Sequence, residues 1–135
     1  MNILVIDGQG GGIGRQIVAA VKADVPQATV TAVGTNSVAT GAMLKAGADN
    51  AATGENAVVV GCRSADAIIG PVSIVIADSM CGEVTPKMAV AVGQSSAKRV
   101  LIPVNRCNNY LVGAANLPVS HLVQEAVKIL CTECE

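Results

Sequence analysis

The chain has 135 residues, and this length fits a single domain, residues 1–135, that buries about two-thirds of the surface of its unfolded chain. Nine basic residues, a net charge of −1, one Tyr and no Phe or Trp argue against a nucleic-acid partner, because neither a basic footprint nor a base-stacking surface can form. No apolar run reaches the about 18 residues of a membrane span, so we expect no membrane association and a cytoplasmic protein.

The first fifteen residues predict a buried strand that runs directly into a phosphate-binding turn. Residues 3–6 are Ile-Leu-Val-Ile, an apolar run of strand length. Five glycines follow within residues 8–14, where glycine lets backbone N–H groups approach a ligand and the start of a helix attracts anions. We therefore expect unoccupied amides here to bind a nucleotide phosphate. The candidate binding residues of this turn are Gly8, Gln9, Gly10, Gly11, Gly12, Ile13, Gly14 and Arg15.

The glycine spacing is close to two known nucleotide-binding turns without matching either strictly. The pattern Gly-x-Gly-x-x-x-Gly over residues 8–14 has one residue more than the dinucleotide motif G-x-G-x-x-G. Read as Gly-x-x-x-Gly-Ile-Gly, the same residues resemble the turn of short-chain dehydrogenases. Those enzymes need a Tyr-x-x-x-Lys pair, whereas Ala114 stands four residues after Tyr110, so their catalysis is excluded. A tight turn without a ligand is the alternative.

Helices and strands alternate in the next part of the chain. Apolar residues at helical spacing predict a first helix up to Ala23, and residues 29–33 predict a second strand. A polar loop, residues 34–37, then supplies an N-cap for a helix through Ala46. No acidic residue ends the second strand, where dinucleotide folds bind the adenine ribose, so the neutral loop slightly favours NADP over NAD. Its candidate binding residues are Thr35, Asn36 and Ser37.

Residues 47–71 are the most ambiguous segment. Residues 48–52 suggest a short edge strand. After this strand we favour a helix that spans Glu55 to Asp66 and is capped by Thr53. The β-branched residues 58–60 leave a strand as the alternative, because branching at Cβ lowers helix propensity.

The remaining elements complete an alternating pattern. Residues 72–77 predict a buried strand, Thr85-Pro86 is a helix start, and residues 99–104 predict the last strand. A closing helix is expected from Pro118 to Cys131. Strands that alternate with helices at this spacing predict an α/β protein with a three-layer Rossmann-like fold, in which about five mostly parallel strands carry helices on both faces.

Three polar loops are expected at the carboxyl ends of the parallel strands, where such sheets bind ligands: residues 8–14, 78–83 and 105–109. Their carboxylates, thiol and guanidinium could act on a small anionic metabolite, and an enzyme of this kind is our second hypothesis. No catalytic constellation is recognised, so the sequence leaves open whether the protein is an enzyme. The catalytic candidates are Asp78, Glu83 and Cys107, Arg106 is a candidate anion ligand, and Ser79 and Asn105 are further cofactor-binding candidates.

Five cysteines without a secretory signal predict a reducing compartment, where thiols serve as core residues, metal ligands or redox groups. The pair Cys131-x-x-Cys134, in a short tail formed by residues 131–135, has ligand-like spacing but supplies only half of a metal site. We therefore expect no metal and keep a metal or iron–sulfur protein as a third hypothesis. Its candidate ligands are Cys81, Cys107, Cys131 and Cys134.

Six motifs spread over nearly the whole chain carry a resemblance to one family. They are Ile6-Asp-Gly-Gln-Gly-Gly-Gly-Ile-Gly14, Gly34-Thr-Asn-Ser37, Lys45-Ala-Gly-Ala48, Thr53-Gly-Glu-Asn56, Gly82-Glu-Val-Thr-Pro86, and Ile102-Pro-Val-Asn105 with Cys107-Asn108. With these motifs the sequence resembles a small family of uncharacterised proteins from anaerobic bacteria. The resemblance implies a compact Rossmann-like fold and a bacterial, cytoplasmic setting, and it implies no activity.

The function expected from the sequence is nucleotide binding at the turn over residues 8–14, with NAD(P) as the best candidate. The protein would be a binding or sensing module or a subunit of a larger enzyme. Charged residues make up 14% of the chain, against a usual value of about 25%, which predicts that apolar surface is covered by a second subunit. The expected partners are thus a small-molecule nucleotide or anionic metabolite and a second copy in a homo-oligomer.

Overall fold

The computed structural model describes residues 1–104, 106–114 and 116–133 of the chain. Within this part, five parallel strands form one sheet: β1 (Asn2–Asp7), β2 (Thr29–Gly34), β3 (Asn50–Thr53), β4 (Ala67–Pro71) and β5 (Lys98–Ile102). Their order across the sheet is β3-β2-β1-β4-β5. The strand order therefore reverses at β1, the central strand.

Helices cover both faces of the sheet. They are α1 (Gly12–Asp24), α2 (Ser37–Lys45), α3 (Glu55–Ser64), α4 (Pro86–Gln94) and α5 (Val119–Glu133). One apolar cluster joins α1, α2 and α5 to one face of the sheet, and a second joins α3 and α4 to the other face. The predicted three-layer Rossmann-like fold is thus confirmed, and every described pairing in the sheet is parallel.

Strand β1 is buried on both faces because consecutive residues point to opposite sides of the sheet. Ile3 and Val5 pack in the cluster under α1, while Leu4 and Ile6 pack in the cluster under α3 and α4. All four side chains are at most 2% exposed. This explains why the sequence has a continuous apolar run here and no alternation with polar residues.

Two helix starts follow their predicted signals. Thr85 caps α4, its Oγ1 accepting the Met88 N–H at 3.2 Å, and Pro86 is the first helical residue. Asn36 caps α2, its Oδ1 accepting the Ala39 N–H at 2.9 Å. Both caps satisfy amides that have no partner within the helix.

The strand predicted over residues 72–77 is wrong. Strand β4 lies earlier, at Ala67–Pro71, and a 3₁₀ turn over Val72–Val75 follows it. Glycine and proline usually mark turns, but Gly70 is needed within this strand because a Cβ there would overlap the carbonyl oxygen of Ile6. The close contact of Gly70 with Ile6 in β1 therefore outweighs the usual preference of glycine and proline for turns.

The strand and the helix predicted before β4 are both present with shifted bounds, since the strand is Asn50–Thr53 and the helix ends at Ser64. The expected edge strand is β3. The helix predicted from Glu55 to Asp66 is α3, so the alternative strand over residues 58–60 is wrong. Its cap is Gly54, not Thr53, and Gly54 has a φ of 100°, which a residue with a side chain rarely adopts. Within the described ranges, no helix is both long and apolar enough to cross a membrane.

Candidate functional site

Three glycines of the turn between β1 and α1 are required by the fold. At Gly14 a Cβ would lie 2.6 Å from Met43 Sδ, so glycine allows α1 and α2 to pack closely. Gly11 caps α1 with a φ of 74°, in the left-handed region. At Gly8 a Cβ would lie 2.5 Å from Oγ1 of Thr35, the residue that follows β2. Each of these positions excludes a side chain for a reason internal to the chain.

Gly10 and Gly12 differ from the other three glycines. Both are exposed, neither has a φ in the left-handed region, and an added Cβ would meet no atom within 4 Å. Their N–H groups donate no hydrogen bond to any residue that the structure describes. The fold therefore does not require glycine here, and the backbone at both positions is open to a ligand.

Asp7, the last residue of β1, lies beneath the turn and is 2% exposed. Its Oδ2 accepts the Gly14 N–H at 2.7 Å. Burial raises the pKa of Asp7 above its ordinary value of 3.8, although backbone N–H groups of Gly14, Gly8 and Ile13 stabilise the carboxylate; the charge of Glu83 adds to the rise. The expectation that the amides at the start of α1 are unoccupied is therefore wrong for Gly14.

Glu83 comes from the loop after β4 and reaches the ends of β1 and β2. Its Oε1 accepts hydrogen bonds from Thr35 Oγ1 at 2.7 Å, Asn36 Nδ2 at 2.7 Å and the Gln9 N–H at 2.9 Å. The Thr35 hydroxyl is the main cause of a lowered pKa of Glu83, with the Gln9 amide and Asn36 contributing. The carboxylate is thus ionised at neutral pH and occupies a second amide of the turn.

The loop that carries this carboxylate has an unusual backbone. Asp78, Met80 and Cys81 have φ values of 65°, 55° and 57°, in the left-handed region that glycine normally occupies. The Asp78 N–H donates to Val84 O at 2.7 Å and closes the loop. Such residues cost about 1–2 kcal/mol each and persist where the surroundings fix them.

The other predicted binding residues are distributed as follows. Ser79 is buried and its Oγ donates to Ser73 O at 2.6 Å, so this hydroxyl serves the loop and faces no ligand. Arg15 is exposed on the first turn of α1, and Ser37 is the exposed first residue of α2. Asn105 lies outside the described residues.

Two of the three catalytic candidates lie outside the hydrogen-bonded group that Glu83 forms with Gln9, Thr35 and Asn36. Asp78 is exposed, and Cys107 is exposed in the loop after β5, with a φ of 49°. The Arg106 Nε donates to Pro103 O at 2.8 Å. Of the three candidates, only Glu83 is hydrogen-bonded to residues that follow both β1 and β2. Catalysis by any of the three stays a prediction.

The cysteines do not assemble a metal centre in the part of the chain that is described. No three His, Cys, Asp or Glu side chains there come together in a way that could hold a metal ion. Cys81 is exposed, Cys131 is half-buried on α5, and Cys134 lies outside the described residues. Cys62 is buried, and burial raises the pKa of its thiol to about 11, as expected of an unreactive core residue.

The burial of Asp7 predicts a pH-dependent stability. Because its pKa is higher in the folded than in the unfolded protein, its contribution to stability is fully present below pH 3.8 and is lost as the pH rises through the folded-state pKa. We expect the free energy of unfolding of Asp7→Asn, minus that of the wild type, to increase with pH above 3.8. A loss of stability that is the same at every pH shifts this difference by a constant and does not change its dependence on pH.

Denaturant unfolding of both proteins over a series of pH values measures this difference. The variant Asp24→Asn, which removes an exposed carboxylate from the end of α1, is the matched control. A difference between Asp7→Asn and the wild type that stays constant or decreases with pH would contradict the raised pKa.

Comparison with known proteins identifies a family and no individual relative. The family described as "Domain of unknown function (DUF3842)" matches residues 2–135. Neither the curated proteins nor the solved structures give a match. The match confirms that the motifs belong to an uncharacterised family, while its description names no activity and no organism, so the bacterial setting stays a prediction.

Proposed function

We propose that this chain, which belongs to the DUF3842 family, binds the phosphate of a nucleotide at the turn between β1 and α1, with NAD(P) as the best candidate. The observation that carries this proposal is the pair Gly10 and Gly12. Both are exposed glycines that the fold does not require, and their N–H groups have no partner in the described part of the chain. A phosphate supplies the acceptors that these amides lack.

The environments of the glycines support the same proposal. In dinucleotide-binding turns the first glycine makes the tight turn, the second lets the backbone approach the pyrophosphate, and the third packs the helix on the strand. Gly8, Gly10 and Gly14 have these three environments, because Gly8 and Gly14 are enclosed while Gly10 is open. The one additional residue falls between Gly10 and Gly14 and leaves this division of roles unchanged.

The position of the turn in the sheet is the second support. Ligands of open parallel sheets bind beyond the carboxyl ends of the strands, where the strand order reverses. Here the order reverses at β1, which lies between β2 and β4, and the turn follows β1 directly. Arg15, exposed on the first turn of α1, supplies a cation that can pair with the phosphate.

The protein's own carboxylates define which amides remain for the ligand. Asp7 occupies the Gly14 N–H and Glu83 occupies the Gln9 N–H. The proposed phosphate contacts are therefore limited to Gly10 and Gly12, with the positive end of the α1 dipole behind them. This restricts the site to one part of the predicted residues 8–14.

The variant Gly10→Val tests the proposal. An added Cβ at this position would meet no atom within 4 Å, so we expect nearly unchanged thermal stability without ligand and loss of nucleotide binding. For the wild type, a nucleotide at one hundred times its Kd should add about 2.7 kcal/mol, which corresponds to a rise in Tm of roughly 8 °C. Thermal shift and calorimetric titration with NAD, NADP and ATP measure both effects.

Gly93→Val is the matched control, because Gly93 is exposed on α4 and also has open space around its Cα. We expect this variant to bind the nucleotide like the wild type. The proposal fails if none of the nucleotides binds the wild type, or if Gly10→Val binds as tightly as Gly93→Val.

A further inference from the structure

We infer that Glu83 binds the hydroxyl groups of the adenine ribose and gives the site a preference for NAD over NADP. This inference rests on the proposed function, since it assigns the second half of the same nucleotide site. In dinucleotide folds an acidic residue at the end of β2 accepts a hydrogen bond from the ribose 2′-hydroxyl. Here β2 ends in Gly34 and the loop continues with Thr35 and Asn36, which carry no charge.

Glu83 supplies the missing carboxylate from another part of the chain. It lies 48 residues after Thr35 and 47 after Asn36, and it is hydrogen-bonded to both. The Gln9 N–H holds the same Oε1 atom against the phosphate-binding turn. The carboxylate is thus fixed between the end of β2 and the turn after β1, which is the place of the ribose in such folds.

The second oxygen of this carboxylate is available to a ligand. Oε1 accepts all three hydrogen bonds of Glu83, and Oε2 has no partner among the residues that the structure describes. The side chain is only partly buried. A carboxylate can only accept hydrogen bonds, so the complementary group is a donor such as a ribose hydroxyl.

The same contacts disfavour a 2′-phosphate. From the sequence, the neutral residues Thr35, Asn36 and Ser37 favour NADP, but Thr35 and Asn36 already donate to Glu83. A 2′-phosphate at this place would face a negative charge, and no cation is paired with Glu83 in the described part of the chain. Repulsion between like charges therefore adds to the loss of the hydroxyl donor.

The backbone of the loop holds Glu83 in a defined position. Three residues other than glycine, Asp78, Met80 and Cys81, hold left-handed φ angles just before Glu83. Strain of this kind concentrates at ligand-binding sites, where a side chain must be held in one position.

The test compares NAD, NADP and NAD lacking the adenosine 2′-hydroxyl by calorimetric titration of the full chain. For the wild type we expect NADP and the 2′-deoxy analogue to bind about tenfold more weakly than NAD, or weaker still. Glu83→Gln should bind NAD about tenfold more weakly and reduce its preference over NADP to within about threefold. Glu55→Gln, at the start of α3, is the control and should bind all three like the wild type.

The outcomes separate the two proposals. If the wild type binds neither NAD nor NADP, the proposed function fails and the inference fails with it. If the wild type binds NADP or the 2′-deoxy analogue as tightly as NAD, the role of Glu83 is overturned while nucleotide binding stands. The comparison of ligands on the wild type requires no variant, so it decides the question even if Glu83→Gln folds poorly.

Discussion

Replacing Gly70 with alanine is expected to lower the free energy of unfolding by about 3 kcal/mol, at the upper end of the usual cost of overpacking. Gly70 is buried in β4, and its added Cβ would overlap the carbonyl oxygen of Ile6 in β1 and lie 3.1 Å from Ile74 Cδ1. The oxygen belongs to the backbone of the central strand, so it cannot move aside as a flexible side chain would. The two strands must separate locally, which weakens the sheet at its centre.

Denaturant unfolding of Gly70→Ala and of a matched control measures this effect. Gly41→Ala is the control, because Gly41 is exposed within α2 and an added Cβ would meet no atom within 4 Å. We expect it to raise the free energy of unfolding by up to about 1 kcal/mol through its higher helix propensity. If Gly70→Ala were as stable as the wild type, the close approach of Gly70 to the Ile6 carbonyl would be contradicted.

Gly70 also explains why the position of β4 could not be predicted from the sequence. The apolar run over residues 72–77 predicts a strand, whereas the strand lies at Ala67–Pro71 and contains Gly70. The reason for Gly70 is a contact with Ile6, which is distant in sequence. The helix starts at Asn36 and Thr85 could be predicted because a cap depends only on residues within one turn of the helix.

The candidate site divides in the same way. The glycine turn and its position between strand and helix could be predicted, since both are local features. The hydrogen bonds of Glu83 could not be predicted, because its three donors are 47 to 74 residues away in sequence. The hydrogen bond between Asp7 and the first turn of α1 had a usable signal, an acidic residue that ends an apolar strand shortly before a helix start.

We also expect Met43→Ala to lower the free energy of unfolding by about 3 kcal/mol, within the usual range for a buried methionine. Met43 is 0% exposed and lies in the cluster between α1, α2 and the sheet. Its Sδ would be 2.6 Å from a Cβ at Gly14, so Gly14→Ala alone should cost about 1–3 kcal/mol by overpacking. Denaturant unfolding of the single variants and the double variant measures the coupling.

The costs of the two substitutions should not add, because one creates the space that the other needs. We expect the loss in free energy of unfolding of the double variant to be smaller than the sum of the two single losses by about 1 kcal/mol or more. Met43→Ala combined with Gly93→Ala, on the opposite face of the sheet, should be additive within about 0.5 kcal/mol. Additivity in both pairs would contradict the close contact of Met43 with Gly14.

The double variant should still be less stable than the wild type. A Cβ at Gly14 would also lie 2.8 Å from Asp7 Cβ, and removing Met43 does not relieve this second contact. Asp7 is itself held by its hydrogen bond from the Gly14 N–H, so it cannot retreat without losing this bond to the first turn of α1. Gly14 therefore fixes the start of α1 against both β1 and α2, and with it the position of the open amides at Gly10 and Gly12.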